Sequence, residues 1–223
     1  MTDPIVDSWN ANASAWISTI ENEELESRKL VTNQAIIETI AKHQPKKVLD
    51  VGCGEGWLCR ALQQQGIETL GVDAVADFIT YACQQKQGQF EVASYQGLIQ
   101  HQALPLTPFD AAVINFALLD QEVTEELLPA LHHYLYQPGW LFIQTLHPHA
   151  LGNEIPYQSG WLNEDWRFMK REFTQSYQWY YRTLEDWISL FAQSGYQLAE
   201  MREPLHLKTQ RPASIIFGLQ RYD

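Results

Sequence analysis

The sequence predicts an α/β fold: seven strands in one mostly parallel sheet, helices on both faces, a last strand pair that is antiparallel, and a helical cap ahead of the first strand. Three observations carry this. Short apolar runs alternate with segments of helical spacing over the first two thirds of the chain. Glycines and prolines fall at the ends of those runs. The final two apolar runs follow each other with no helical pattern between them.

Taken in order, residues 3–43 have helical character, with Ile17, Ile20, Leu30, Ile36, Ile37 and Ile40 at mostly helical spacings and Pro45 closing the segment. Lys47 to Val51 is a buried strand ending in glycines. Leu58, Ala61 and Leu62 give the next helix one face, and Gly66 stops it. Ile67 to Asp73 is the second strand, Phe78, Ile79 and Ala82 mark a helix, and Gln89 to Ser94 is a third, weaker strand. Phe109 to Asn115 is the fourth. Leu127, Leu128, Leu131 and Leu135 put a leucine face on the following helix, which Pro138 and Gly139 break before a fifth strand, Trp140 to Leu146. Strand–helix alternation of this kind implies parallel strands joined by right-handed crossovers.

Residues 147–182 are rich in aromatic side chains and have little period. Thr183 then opens a helix, with Asp186 three places on in a capping-box arrangement. Leu184, Trp187, Ile188 and Phe191 form its apolar face, and Gly195 ends it. Strands near Tyr196 to Met201 and Ser214 to Leu219 complete the sheet. The reading is of one domain, 1–223, with a helical cap over 1–44 and an aromatic insert over 147–182.

Composition narrows the function. At 223 residues with 45% hydrophobic and 19% charged side chains, the chain is globular. A formal net charge of -12 repels phosphate backbones, so no nucleic-acid partner is expected. Arg167, Lys170 and Arg171 are the nearest thing to a basic cluster, and Glu164, Asp165 and Glu172 surround them. No run is long and apolar enough to span a membrane, and the first ten residues lack a basic-then-apolar leader, so a cytoplasmic protein with no membrane contact is expected. Cys53, Cys59 and Cys83 read as free thiols.

The informative segment is Val48-Leu49-Asp50-Val51-Gly52-Cys53-Gly54-Glu55-Gly56, a strand running through alternating glycines into a helix. Glycines there allow positive φ and close approach of a ligand to the backbone. Asp73, at the end of the second strand, is about 20 residues on, placed to accept hydrogen bonds from ribose hydroxyls; Asp also favours a helix N-cap. The dinucleotide fingerprint wants its third glycine where Trp57 stands, and Glu55 puts a carboxylate where a pyrophosphate would lie. A sulfonium nucleoside, cationic and without phosphate, suits an acidic turn.

These residues resemble the first two motifs of the class I S-adenosylmethionine-dependent methyltransferases. The segment is most similar to the small methyltransferase-domain proteins that include ubiquinone-biosynthesis O-methyltransferases. The resemblance implies a Rossmann-like sheet, S-adenosyl-L-methionine as cofactor and methyl transfer to a small-molecule acceptor, by family habit a hydroxyl oxygen. It further implies that Gly52, Gly54 and Gly56 wall the methionine part, with Asp50 supporting that loop; that Asp73 binds the ribose; and that Ala74 lies beside the adenine. The third strand of the family often ends in an acid that touches the adenine amino group; here Ser94 or Tyr95 takes that place. Asn115 and Phe116 match the position near the methionine and reactive methyl.

His147 is the candidate general base, because it follows the fifth strand at the ligand-binding edge of the sheet and imidazole titrates near neutrality; the alternative is a loop histidine that only packs or hydrogen-bonds. A metal held by His147, His149 and Glu154 matches no strong motif, and none is expected. His132 and His133 belong to the leucine-faced helix. Tyr157, Trp161, Trp166, Phe168, Phe173, Tyr177, Trp179, Tyr180 and Tyr181 fit a cover for a flat or apolar acceptor, plain packing, or a homodimer contact. Trp9 and Trp16 could close over the cofactor or simply pack. Arg28 suits a cofactor carboxylate, yet an ion pair with Glu24 four residues earlier is the favoured expectation. The competing functions are a non-catalytic S-adenosylmethionine-binding module and a nicotinamide-dependent oxidoreductase.

Overall fold

The computed structural model describes residues 3–148, 155–164, 166–167 and 169–221. Strands β1 (Lys47–Val51), β2 (Glu68–Asp73), β3 (Gln89–Val92), β4 (Phe109–Asn115) and β5 (Leu135–Thr145) run parallel. With β8 (Tyr196–Arg202) and β9 (Ile215–Arg221) they make a seven-stranded sheet in the order β3-β2-β1-β4-β5-β9-β8. Only β9 runs against its neighbours, pairing antiparallel with both β5 and β8. Strands β6 (Gly160–Glu164) and β7 (Tyr177–Tyr181) form a separate antiparallel ribbon within the insert.

Alternation along the strands explains why both faces are covered. Ala112 and Ile114 of β4 and Leu141 and Ile143 of β5 point into one core, with Leu127 and Leu128 of α6 (Glu122–Ala130) and Phe191 of α7 (Leu184–Gln193). Their neighbours Ala111, Val113 and Phe142 point into the other, against Ile36 and Ile40 of α2 (Asn33–Lys42) and Leu58 and Leu62 of α3 (Trp57–Gln64). A strand buried on both sides needs a continuous apolar run, as these sequences have. In β1, Val48 and Leu49 obey this alternation and Asp50 breaks it: its carboxyl is buried on the α3 side.

The structure differs from the sequence reading at β5. The preceding helix gives way to a tight turn at Leu131–His133, and Leu135 already pairs with Phe109. The register then shifts, so that Tyr136 to Gly139 bulge before Trp140 meets Ala111. Pro138 has no amide to give the ladder, which is why the strand bulges there. Leu146 lies beyond the strand.

The N-terminal segment divides into α1 (Pro4–Glu21), a π-helical turn at Arg28–Thr32 and α2. Asp3 caps α1, accepting from the amides of Ile5 and Val6. Helix α1 packs on α4 (Ala76–Gln84) through Ala13, Trp9, Trp16 and Phe78. It also grips the insert. Ser8 Oγ, Asn12 Nδ2 and Trp166 Nε1 all donate to the Gln175 carbonyl, at 2.7, 2.8 and 2.7 Å. Asn12 Oδ1 in turn accepts from the Thr174 amide at 2.7 Å. Trp9 stands edge-on to Trp16 and Trp166, with ring centroids 5.1 and 5.2 Å away. The β6–β7 ribbon is tied to the sheet separately: the Tyr180 amide donates to Leu119 O, and Arg182 donates to Gln121 O, at 2.8 Å each.

Asn12 is buried and serves the insert with both ends of its amide, so truncating it strands the Thr174 amide. Asn12→Ala is expected to cost about 1–3 kcal/mol of stability, the cost of a buried donor left unpaired. Urea denaturation measures it; a change under roughly 0.5 kcal/mol would show that the cap–insert contact is made by the aromatic rings alone.

Candidate active site

The C-terminal edge of the parallel strands is where open α/β sheets bind ligands, and the predicted residues collect there. After β1 the chain turns through Gly52, Gly54 and Gly56, all at positive φ. The turn is fastened to β2: the Gly52 and Cys53 amides donate to Val72 O at 2.8 and 3.0 Å, and the Gly54 amide donates to Asp73 Oδ2 at 2.9 Å. Asp73 Oδ1 accepts from the Val75 amide at 2.9 Å. Each carboxylate oxygen therefore holds one backbone donor and keeps further acceptor capacity. Asp73 is not the N-cap of α4; Val75 occupies that position. Burial raises the Asp73 carboxyl above its ordinary range, while the amides of Val75, Gly54 and Ala74 act against that rise.

The three glycines do different work. A Cβ on Gly56 would lie 2.6 Å from the Phe90 ring, so this glycine lets α3 start against β3. A Cβ on Gly52 would meet Ala117 Cβ at 2.6 Å and Tyr95 Oη at 2.8 Å. Gly54 faces Trp16, whose Nε1 is 3.9 Å from that position. Tyr95 opens α5 (Tyr95–Ile99) and reaches across to donate its hydroxyl to Ala117 O at 2.9 Å, so it lies on the glycine turn. Ser94 is exposed and caps α5, accepting from the Gly97 amide at 3.0 Å. Ala74 is half-buried beside Asp73.

Asn115 ends β4 with its buried Oδ1 unpartnered. Phe116 follows in the left-handed region, φ 57, and its amide donates to Gln144 O at 2.8 Å. A bulky side chain held there is an uncommon, costly arrangement that clusters at functional sites. Next to it Gln144 is buried, donating to Ser214 Oγ at 2.9 Å and Thr32 O at 3.2 Å. Sequence reasoning missed Gln144; its signal is an amide inside the apolar run of β5.

His147 is 1% exposed just beyond β5, and its Nε2 lies 2.7 Å from Glu203 Oε1. Strand β4 stands between β1 and β5, so His147 is displaced laterally from the glycine turn. Sequence reasoning also missed Glu203, which lies far along the chain on the loop after β8. His132 and His133 sit in the turn after α6, with His132 against Tyr196 at the start of β8, at the opposite edge of the sheet. No group of three His, Cys, Asp or Glu suited to a metal occurs among the described residues; His149 and Glu154 lie outside them, as do Asp165 and Phe168. Cys53 and Cys59 are buried free thiols and Cys83 an exposed one.

Two charged residues stand differently from their expected places. Glu24 pairs with Arg171 at 2.8 Å, not with Arg28. The Arg28 guanidinium instead lies between Trp57 and Trp16, 4.9 and 5.8 Å from their rings. Glu55, 1% exposed, is buried within the glycine turn.

With this geometry in view, comparison with known proteins identifies the chain. The family described as a methyltransferase domain matches residues 25–201. The mitochondrial ubiquinone biosynthesis O-methyltransferase of Homo sapiens is 30% identical over 125 residues, which is 50% of this chain and 33% of that protein. The ubiquinone biosynthesis O-methyltransferase of Xylella fastidiosa (strain M23) is 30% identical over 105 residues, 45% of this chain and 42% of that one. The matches thus take in less than half of these relatives' length. Among solved structures, the 1,6-didemethyltoxoflavin-N1-methyltransferase of Burkholderia thailandensis, with 1,6-didemethyltoxoflavin and S-adenosylhomocysteine bound, superposes with TM-score 0.68 at 13% identity, covering 100% of this chain and 92% of that one. A putative S-adenosylmethionine-dependent methyltransferase from Listeria monocytogenes gives 0.63 at 18% identity, covering 86% and 100%. These two likenesses carry the fold.

The chain belongs to the methyltransferase-domain family and is a class I S-adenosylmethionine-dependent methyltransferase. Its cofactor is S-adenosyl-L-methionine, and the residues present fit it. Buried polar atoms without a hydrogen-bond partner recur on the elements at this edge: Asp50 Oδ1, both Glu55 oxygens, Arg28 Nη2, Thr32 Oγ1, Asn115 Oδ1 and Gln144 Oε1. Buried polar groups are nearly always satisfied, so such a group of orphans marks a place where a polar ligand completes the bonding.

Asp50 supplies a pH signature. Burial raises its carboxyl from 3.8 to about 7; Cys59, with Sγ 3.5 Å from Oδ2, opposes the rise, and Glu55 and Asp73 add to it. The folded state then keeps a proton that the unfolded state loses, so this contribution to stability is full below pH 3.8 and lost as pH rises through about 7. Asp50→Asn is expected to flatten that part of the slope. Urea denaturation of both proteins at about pH 5 and about pH 8 reads the difference; parallel slopes would remove Asp50 as its source.

Proposed function

We propose that the chain methylates a hydroxyl oxygen of a small, flat acceptor, with His147 as general base. The observation that carries this reading is the buried His147–Glu203 pair at 2.7 Å, on the edge of the sheet where the cofactor binds. A neutral hydroxyl is a poor nucleophile toward a methyl–sulfonium bond, so an oxygen acceptor benefits from a base where a stronger nucleophile has less need of one. Glu203, accepting from the ring, would fix its orientation and stabilise the imidazolium that forms. The ubiquinone biosynthesis O-methyltransferases similar to this chain act, by their names, on oxygen.

In this reading the Gly52–Gly56 turn and Asp73 hold the nucleoside, with Ala74, Ser94 and Tyr95 beside the base and Asn115 and Phe116 beside the methionine part. Asp50 supports the turn. S-adenosylmethionine supplies the activated methyl; the chain aligns the acceptor with it, where proximity is worth about 7–11 kcal/mol. The β6–β7 ribbon provides aromatic surface for the acceptor, with Trp161 edge-on to Tyr180 at 5.4 Å and Trp179 edge-on to Tyr181 at 6.4 Å. Such walls exclude water and favour a planar molecule. Neither nucleic acid nor membrane is a partner in this reading, the protein works in the cytoplasm, and a homodimer through the insert is compatible with it. Among the described residues, no helix is long and apolar enough to cross a membrane.

Transfer of a labelled methyl group from S-adenosylmethionine to phenolic acceptors, with NMR of the product, tests the reaction. An O-methyl product supports it; methylation confined to ring nitrogen overturns the oxygen assignment. His147→Ala is expected to lower turnover roughly 100-fold with cofactor affinity retained; unchanged turnover would leave alignment as the mechanism. Asp73→Ala is expected to weaken S-adenosylhomocysteine binding by calorimetry, roughly 10-fold or more for a lost charged hydrogen bond. Unchanged affinity would remove the ribose role.

A further inference from the structure

Arg28 and Glu55 are opposite charges buried close enough to influence each other, yet neither is fully satisfied. Arg28 Nε donates to Asn33 Oδ1 at 3.3 Å, while Nη2 is buried with no hydrogen-bond partner. Both Glu55 carboxylate oxygens are likewise buried and without one. Arg60 Nη2 stands 3.7 Å from Glu55 Oε1, beyond hydrogen-bond range; Arg60 Nη1 is spent on the Glu55 backbone carbonyl at 2.6 Å. Burial lowers the Arg28 pKa, with Glu55 opposing the shift, and burial raises that of Glu55, with Arg28 opposing. A buried ion pair without completed hydrogen bonds is a poor stabilising device, so structural need alone does not account for it.

Its location does. Glu55 lies between Gly54 and Gly56, and Trp16, one wall of the Arg28 slot, faces Gly54. Arg28 begins a π-helical turn, with the Asn33 amide bonded to Arg28 O; single π turns inside helices are frequent at functional sites. Two tryptophan faces hold the guanidinium plane and leave its edge for a planar anion.

We infer that Arg28 and Glu55 form a clamp for an α-amino-acid head group, the guanidinium taking the carboxylate and Glu55 taking the ammonium of the methionine end of the cofactor. The inference rests on the glycine turn as the nucleoside site and extends it. The clamp reads the zwitterion: a ligand with the same nucleoside but no amino-acid end leaves both charges as they are. It therefore gives the enzyme a way to favour S-adenosylmethionine over thioether nucleosides that lack the amino acid.

Calorimetry with two probes, S-adenosylhomocysteine and 5′-methylthioadenosine, tests this. Wild type is expected to prefer the first, and Arg28→Met to shrink that preference roughly 10- to 100-fold by weakening S-adenosylhomocysteine alone. Glu55→Gln shrinks it through the ammonium. Should Arg28→Met fail to fold by circular dichroism, Arg28→Lys is read instead: it keeps the charge, loses the planar fork and is expected to narrow the preference in the same direction. A preference unchanged in the variants, or both probes weakened by one factor, overturns the clamp. Wild type binding neither probe would instead strike at the glycine turn as the nucleoside site.

Discussion

The bond from the Gly54 amide to Asp73 Oδ2 is the constraint around which the site is organised. It joins the crown of the turn after β1 to the tip of β2, and Val72 O receives two more amides from the same turn. A run of glycines is entropically costly to hold in one shape; the neighbouring strand supplies the template. Because Asp73 spends one lone pair on each of two amides, its remaining acceptor directions are fixed before any ligand arrives. Preorganisation of this kind lets the first three strands present the nucleoside site as a rigid unit.

Around that unit the protein concentrates unfavourable electrostatics. Asp50, Glu55 and Asp73 are carboxyls that burial makes harder to ionise, and each lies on or beside the turn. Arg28 is the cation with the strongest hold on Glu55. A site with more buried negative charge than it can pair is poorly matched to phosphate and well matched to a sulfonium. The same unpaired groups make the turn expensive to maintain, so the apolar cores on both faces of the sheet must carry the fold.

The strand–helix order and the reversed last pair are legible in the sequence because periodicity is local: Ala112-Val113-Ile114 reads as a buried strand wherever it sits. The glycine turn with Asp73 is legible for the same reason. Features set by partners far along the chain are not. Arg28 sits four residues from Glu24, and helical spacing favours that pair, but Arg171 takes Glu24 and Trp57 takes Arg28. Leu135 continues the leucine spacing of α6 and reads as helix, although the bulge around Pro138 lets it pair with Phe109. The ribbon within the insert is hidden because Tyr177-Gln178-Trp179-Tyr180-Tyr181 has no clean polar alternation. Glu203 can be placed beside His147 only once β8 and β9 are laid on the sheet.

Three donors on the Gln175 carbonyl have an evolutionary consequence. The first helix and the acceptor-side insert share one acceptor atom, from positions up to 167 apart in sequence. Neither segment can drift independently. A lineage that remodels the insert for a new molecule must keep the chain at 174–175 in register with Asn12 or rebuild both, so variation in substrate range is steered toward the β6–β7 tip and away from the root of the insert.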